Sequence, residues 1–391
     1  MTDTSEKTRV AIIGAGVAGL TLGNLLIRNG VDCIVLERRS RAYVEQRQRA
    51  GTVDSSGARI FHEWGLADVL DSDAPDEVEG GIWIDGHAIP LEFEEDDNAD
   101  AAFIPQQVLV HNLTDAFLAV GGDLRYEIDD LALHDFYGDN PTVTYHDQRG
   151  TEWVVVGDYI AGCDGDRGVS RASIPDGVLT RYAHEYGYAW LTILADTASE
   201  TSGTAIHSRG FAAMIPRGQA ASRLYLQVPL TDILDDWPDE RIWAEMDARY
   251  GEPVPHGPIV SKQLIPLRSV VYDPMQYGRL YLLGDAAHIV PPMNAKGIHL
   301  ALHDAELFAR AVIQQAKEGD GTLLEEYSDT ALGHIWNYQA FAVWITDLMH
   351  NAGDTSHAGE FRKHTARAEL QRQFASSAAN KLFSELTAGL N

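Results

Sequence analysis

Basic residues are scarce in this chain: 30 Lys and Arg face 58 Asp and Glu, a formal charge of −28 over 391 residues. So acidic a balance excludes a broad positive surface, and with it binding to nucleic acid or to an anionic membrane. Cysteine is scarcer still. Cys33 and Cys163 each sit in an apolar, strand-like run, where a buried free thiol is expected rather than a disulfide or a metal ligand. Long hydrophobic runs are missing too. The longest uncharged stretch, Val10–Ile27, is broken by Gly14, Gly16, Gly19, Thr21, Gly23 and Asn24, which suits a buried strand and helix and not a membrane span. The polar opening MTDTSEKTR runs straight into that strand and leaves no room for a secretory signal, so a cytoplasmic protein is expected. No repeat or low-complexity tract organises the chain. No metal site is expected, and the run Glu94-Glu95-Asp96-Asp97 reads as a solvated turn.

What the chain does have is glycine in one particular pattern. In VAIIGAGVAGLTLGNLLIRNGVDCIVLE, residues Val10 to Glu37, an apolar run enters a turn carrying Gly14, Gly16 and Gly19. An amphipathic segment follows, and a second apolar run, Cys33–Leu36, ends at Glu37. This predicts strand, tight turn, helix, strand. Glycines there let the backbone approach a pyrophosphate, whose charge sits at the N–H-rich start of the helix. Glu37 falls 18 residues past the last glycine, where a carboxylate accepts hydrogen bonds from ribose hydroxyls. A dinucleotide site is expected here.

Further along, the pattern predicts a helix over Ser55–Leu70 with Ile60, Phe61, Trp64 and Leu66 on its apolar side, then short antiparallel strands between Glu79 and Phe93. A helix over Gln106–Val120 and strands at Leu124–Ile128, Thr142–Tyr145 and Trp153–Val156 come next. The strand-like DYIAGCDG ends in Asp-Gly, with Arg167, Gly168 and Arg171 beyond it. Several strands fill 186–229, and Asp239–Tyr250 is an amphipathic helix. Near Leu267-Arg268 the α/β pattern returns: RLYLL runs into GDAAH, Pro291-Pro292, Lys296-Gly297 and a helix. A helical tail follows from about Leu323, interrupted at Gly353-Asp354.

Three separated elements now stand together: the GAGVAG turn with Glu37, GCDGDRGVSR at 162–171, and RLYLLGDAAHIVPPMNAKG at 279–297. Together they resemble the FAD-dependent aromatic hydroxylases of the single-component, class A type, and within them the hydroxybenzoate branch. The likeness includes ERRSRAYVEQRQRAG, DYIAGCDG, SRGFA, QVPLTD, DWPDER and GDAAHIVPP, and weakens beyond residue 350. The resemblance implies an α/β fold: a doubly wound FAD-binding (glutathione-reductase-like) domain with an inserted β-sheet substrate domain and a helical C-terminal tail. The expected division assigns 1–78, 101–180 and 267–345 to the FAD domain, 79–100 and 181–266 to the substrate domain, and 346–391 to the tail.

Carried over residue by residue, the resemblance places FAD on Gly14, Gly16, Gly19 and Glu37, with Asp285 at the ribityl chain. Lys296 and Gly297 would bring a helix start near the flavin N1–C2 carbonyl, and Arg49, Gln106, Asp164 and Arg223 would hold the cofactor or brace its strands. It implies NADPH or NADH as co-substrate, docking transiently near Arg38, Arg39, Tyr43, Arg47, Arg49, Arg167 and Arg268. It also implies O2, a flavin C4a-hydroperoxide that hydroxylates an electron-rich ring, and a possible homodimer. A plain NAD-dependent dehydrogenase would leave the 162–171 and 284–297 motifs unexplained, and the WxWxIP signature of flavin halogenases is absent.

The substrate is expected to be a small aromatic carboxylate. Arg217 matches the family's carboxylate clamp and Tyr225 its assistant, and a planar guanidinium suits a bidentate carboxylate. Pro292 matches the proline whose carbonyl faces the ring. The chain also departs from the hydroxybenzoate branch. Ile215 stands where a small hydroxyl residue would be, Thr204 and Thr387 stand for the tyrosine pair that takes the phenolic proton, and His299 replaces an asparagine. A threonine hydroxyl is far less acidic than a phenol near pKa ~10. The expectation is therefore a hydroxy- or aminobenzoate handled by a different proton route, with His299 as candidate. A hydroxybenzoate hydroxylase with an altered relay, or a hydroxylase of a larger ring, are the alternatives.

Overall fold

The computed structural model describes residues 4–46, 52–72, 79–89, 102, 104–199, 201–217, 220–293, 296–350, 353–354 and 356–388. Arg47, Arg49 and the acidic run at 94–97 lie outside these. Four strands, Val10–Ile13, Cys33–Leu36, Tyr159–Gly162 and Leu280–Leu282, are buried along their whole length. Continuous apolar runs of this kind belong to a parallel sheet covered on both faces. They pair in parallel, with Asp123–Arg125 on one edge and an antiparallel Gln276–Tyr277 on the other. The helix Val17–Arg28 packs against the helices Gln106–Ala119 and Lys296–Glu318. A smaller sheet joins Ser5–Lys7, Glu152–Val156, Thr142–His146 and Asp129–His134. Both cysteines are buried and free.

The helix expected over Ser55–Leu70 differs. It ends at Glu63, Gly65 turns with φ +67°, and Ala67–Leu70 is a separate 3-10 turn. A positive φ cannot continue a helix, and glycine supplies it without strain.

The third sheet has eight strands, in the order His288–Ile289, Ile259–Asp273, Thr180–Ala195, Ala221–Pro229, Gly210–Arg217, Thr201–His207, Glu79–Ile84 and His87–Ile89. Ile259–Asp273 runs as one continuous strand of this sheet through position 266. Strand alternation sends neighbouring residues to opposite faces. Ala212, Met214, Leu224 and Leu226 pack with Trp237, Ile242 and Met246 beneath the helix Asp239–Tyr250. Phe211, Ala213 and Tyr225 face the other way, toward Phe341, Ile345 and Leu348 of the helix Tyr327–Met349 and Leu370 of the helix His357–Ala375. Phe383 and Leu386 of the last helix, Ser377–Ala388, pack on the same cluster. Among the described residues no helix is long and apolar enough to cross a membrane.

Candidate active site

The glycine turn divides its labour. A Cβ at Gly14, where φ is +104°, would come within 2.5 Å of the Cys163 carbonyl oxygen, and one at Gly19 within 2.0 Å of the Gly14 oxygen. Both are needed for strand and helix to touch. A Cβ at Gly16 would meet nothing within 4 Å, so this position opens onto free space at the helix start. The helix Val17–Arg28 has no side-chain cap at Gly16 and no acid in its first turn, leaving its N–H groups for an anion. Glu37 reaches back across the turn: one oxygen accepts from the Ala15 N–H at 2.9 Å and the other from the Arg39 N–H at 2.8 Å.

Asp164 follows the strand Tyr159–Gly162 and accepts from the Ser170 N–H at 2.9 Å. Its other oxygen is buried without a partner, and burial raises its carboxyl. Asp285 lies in the turn Gly284–Ala286, at the end of the strand Leu280–Leu282, and Gln106 opens the helix Gln106–Ala119. Sequence reasoning missed Asp304. Fully buried, it accepts from the Gly284 N–H at 2.8 Å and hydrogen bonds His288 at 2.7 Å, fixing the turn that presents Asp285. The signal available was an acid in the middle of an apolar helix face.

The eight-stranded sheet gathers the substrate candidates on one face. Register pairs Thr204 with Ala213, Ala213 with Tyr225, Ile215 with Arg223 and Arg217 with Ala221. Residues directly opposite share a face, so Thr204, Ile215, Arg217, Arg223 and Tyr225 all look toward the C-terminal helices. Met293, beside Pro292, packs into the same cluster. No acid pairs with Arg217 among the described residues. Burial lowers its guanidinium below the ordinary value, Tyr225 beside it opposes that shift, and Arg223 adds repulsion. Arg223 keeps its Nε buried without a partner. Ile215 packs against the apolar cluster rather than turning away. Trp190 stacks on Phe211 at 5.2 Å and tilts on Tyr225 at 4.8 Å, forming the floor.

Lys296 and His299, in the first turn of the helix Lys296–Glu318, converge on a residue that sequence reasoning passed over, Asp54. The Lys296 Nζ donates to one Asp54 oxygen at 2.7 Å, and His299 Nδ1 lies 3.0 Å from the other, which also accepts from the Gly57 N–H. Burial alone would raise Asp54, but the hydrogen bonds from His299 and Lys296, with the positive charge at the helix start, outweigh it and bring the carboxyl down to about 2. Lys296 also donates to the Thr387 carbonyl, which brings the end of the tail to the helix start, while the Thr387 hydroxyl is buried without a partner. His299 Nε2 lies 3.2 Å from His334 Nε2, and Tyr338 stacks on His299 at 4.5 Å. The missed signals are helical spacings: His299 and His303, like His334 and Tyr338, are four apart and share a helix face.

The nicotinamide candidates fall into two groups. Arg38 is exposed beyond the strand Cys33–Leu36, and Arg39 stacks over the half-exposed Tyr43 at 5.1 Å. Arg167 is exposed on the other side of the turn, beside Asp166, which holds Arg268 at 2.5 Å. No hydrogen bond or ion pair among the described residues joins the groups.

These residues fit FAD. The open cradle at Gly16, the uncapped helix start, and the unpartnered Asp164 and Arg223 atoms are polar sites that nothing among the described residues satisfies. A family described as FAD binding domain matches residues 7–342. The chain is 34% identical to a p-hydroxybenzoate hydroxylase from Acinetobacter baylyi, over 98% of this chain and 96% of that one. It is 24% identical to a probable NADH-specific resorcinol 4-hydroxylase from Rhodococcus jostii, covering 83% of this chain and 62% of the relative. The structure of aklavinone-11 hydroxylase with FAD and aklavinone superposes with a TM-score of 0.75 at 21% identity, over 88% of this chain and 69% of that one. The cradle, the family match and the full-length relative agree: the chain belongs to the class A FAD-dependent aromatic hydroxylases, monooxygenases that take NAD(P)H as co-substrate.

Proposed function

We propose that the chain hydroxylates a small carboxylated aromatic ring of the hydroxy- or aminobenzoate type. One observation carries this: Arg217 is a largely desolvated guanidinium with Tyr225 beside it and no acid among the described residues to neutralise it. A buried cation without a counterion is costly, and a bound carboxylate offsets the cost. Bound FAD supplies hydride acceptance from NAD(P)H and the activation of O2. The chain's own part is to hold and enclose. Arg217 and Tyr225 orient the carboxylate, Arg223 presents a second positive edge, Trp190 and Phe211 form the floor, and the C-terminal helices exclude water.

Within this reading the FAD segments are 1–78, 101–180 and 267–345, and the substrate sheet is 79–100 with 181–266. Gly14, Gly16, Gly19, Glu37, Gln106, Asp164, Asp285, Lys296 and Gly297 serve the cofactor. Arg38, Tyr43, Arg167 and Arg268 receive the nicotinamide nucleotide. Plain 4-hydroxybenzoate is not the preferred ring, because the Thr204 and Thr387 hydroxyls are far less acidic than a phenol and relay its proton poorly. The test is NADH and NADPH oxidation by the holoenzyme over a panel of hydroxy- and aminobenzoates, with product mass and peroxide scored together. Oxidation coupled to a gain of one oxygen identifies the ring. No stimulation by any carboxylated ring removes the role given to Arg217.

A further inference from the structure

The group around Asp54 holds more titratable side chains than cofactor binding requires. Lys296, Asp54 and His299 are buried, at 1%, 8% and 3% exposure, whereas His334 and His303 are partly open to solvent. Among the described residues no three such side chains are arranged to hold a metal ion. The geometry is instead a hydrogen-bonded line: Lys296 to one Asp54 oxygen, the other Asp54 oxygen to His299 Nδ1, and His299 Nε2 to His334 Nε2. The His303 ring stacks on His334 at 3.6 Å, and its own Nδ1 is buried without a partner. At its inner end the line touches Thr387, whose helix covers the face that carries Arg217 and Tyr225.

We propose that His299 takes up one proton, delivered from solvent through His334, when negative charge enters the neighbouring site. The inference rests on the reading above that a carboxylated ring and FAD occupy that site. At rest Lys296 and Asp54 cancel, and a neutral His299 donates its Nδ1–H to Asp54. Its bare Nε2 then accepts the Nε2–H of His334. On uptake, His334 passes that proton to His299 Nε2 and gains one from solvent at Nδ1, so one solvent proton ends on His299 and His334 changes tautomer. The imidazolium still donates to Asp54 through Nδ1 and now donates to His334 through Nε2.

The surroundings make this step conditional. Facing the histidines are Asp54 and Lys296 at the helix start, Tyr338 on the second helix, and His288, Asp304 and Glu306 around His303. Burial, with His303 and His299 alongside, pushes His334 down to about 3, so it hands a proton on rather than keeping it. A second cation beside Lys296 is unfavourable until an anion compensates it. Coupling of this kind is reciprocal, so the proton in turn tightens the site around the anion.

Two sources of negative charge are separated by two arms, both on the FAD-loaded protein. In the first, benzoate binding is measured by calorimetry in buffers of different ionisation enthalpy. In the second, the protons bound per two-electron reduction are read from the pH dependence of the flavin midpoint potential, without substrate. The expected result is one proton more in the unmodified protein than in His299→Gln in at least one arm. His334→Gln is expected to keep the proton count but slow its uptake at least tenfold in an indicator-dye stopped-flow trace. Equal counts in both arms for the unmodified protein and His299→Gln overturn the proposal, as does uptake through His334→Gln at the original rate. Absence of any benzoate heat, with the extra proton still present on reduction, counts against the carboxylate reading and leaves the proton assignment standing.

Discussion

The two faces of the eight-stranded sheet are made by the same strands, yet each holds an arginine in a different state. On one side Arg249, 2% exposed, donates to the Phe211 and Gln227 carbonyls at 2.7 and 3.1 Å and pairs with Glu245 at 3.1 Å. On the other, Arg217 has Tyr225 and no acid among the described residues. A saturated guanidinium holds a fold together, whereas an unsaturated one waits for a ligand. The lesson is that accounting for partners, and not burial or residue type, separates a structural cation from a binding one.

The largest expected effect is on the saturated side. Arg249→Ala leaves the Phe211 and Gln227 carbonyls without this donor and Glu245 with Arg209 alone, and should cost about 3 kcal/mol of stability in urea unfolding, with little change in ligand affinity once folded. Arg217→Ala should do the reverse, raising KM for the carboxylated ring about 100-fold while leaving the unfolding midpoint nearly unchanged. A stability loss at Arg217 equal to that at Arg249 would erase the contrast.

A buried but satisfied group on the site face sharpens it. His350 Nε2 accepts from the Trp190 indole at 2.7 Å, its Nδ1–H donates to the Thr346 carbonyl, and burial pushes it down to about 3. Between about pH 3 and the ordinary histidine value of ~6.5, the unfolded chain binds a proton that the folded chain refuses. Stability must therefore rise with pH across that window and level off above it. His350→Gln should reduce the slope by about 1.4 kcal/mol per pH unit, measured by unfolding at stepped pH. An unchanged slope would mean His350 is not held neutral. The smallest effect concerns the ring opposite Arg217. Thr204→Tyr together with Thr387→Tyr should shift the kcat/KM ratio toward 4-hydroxybenzoate by about fivefold, roughly 1 kcal/mol. No shift would show that these positions do not handle the proton.

Much of the cofactor end was legible in the residues alone. Gly14, Gly16 and Gly19 announce a turn: only glycine tolerates the close approaches found at Gly14 and Gly19, and Gly16 leaves the helix start open. Glu37 announces its place at the end of the next strand, from which it reaches the Ala15 N–H, and the apolar runs at 159–162 and 280–282 announce a covered parallel sheet. The helix predicted over Ser55–Leu70 failed at Gly65 because apolar periodicity continued across a residue whose positive φ ended the helix. Asp54 was missed for a related reason: in sequence it is a helix N-cap, and only in space the counterion of Lys296.

By itself, then, the sequence determined the backbone-local features: the glycine turn, the buried strands, and the strand ends beside that turn. These depend on torsion angles and hydrophobic period, which are written within a few neighbouring residues. The tertiary structure alone decided that Arg217 meets no acid among the described residues, that Arg249 meets one, and that Asp54 meets Lys296 across 242 residues of chain. Those outcomes depend on which side chains long-range packing brings within about 3 Å of each other, and no local pattern carries that information.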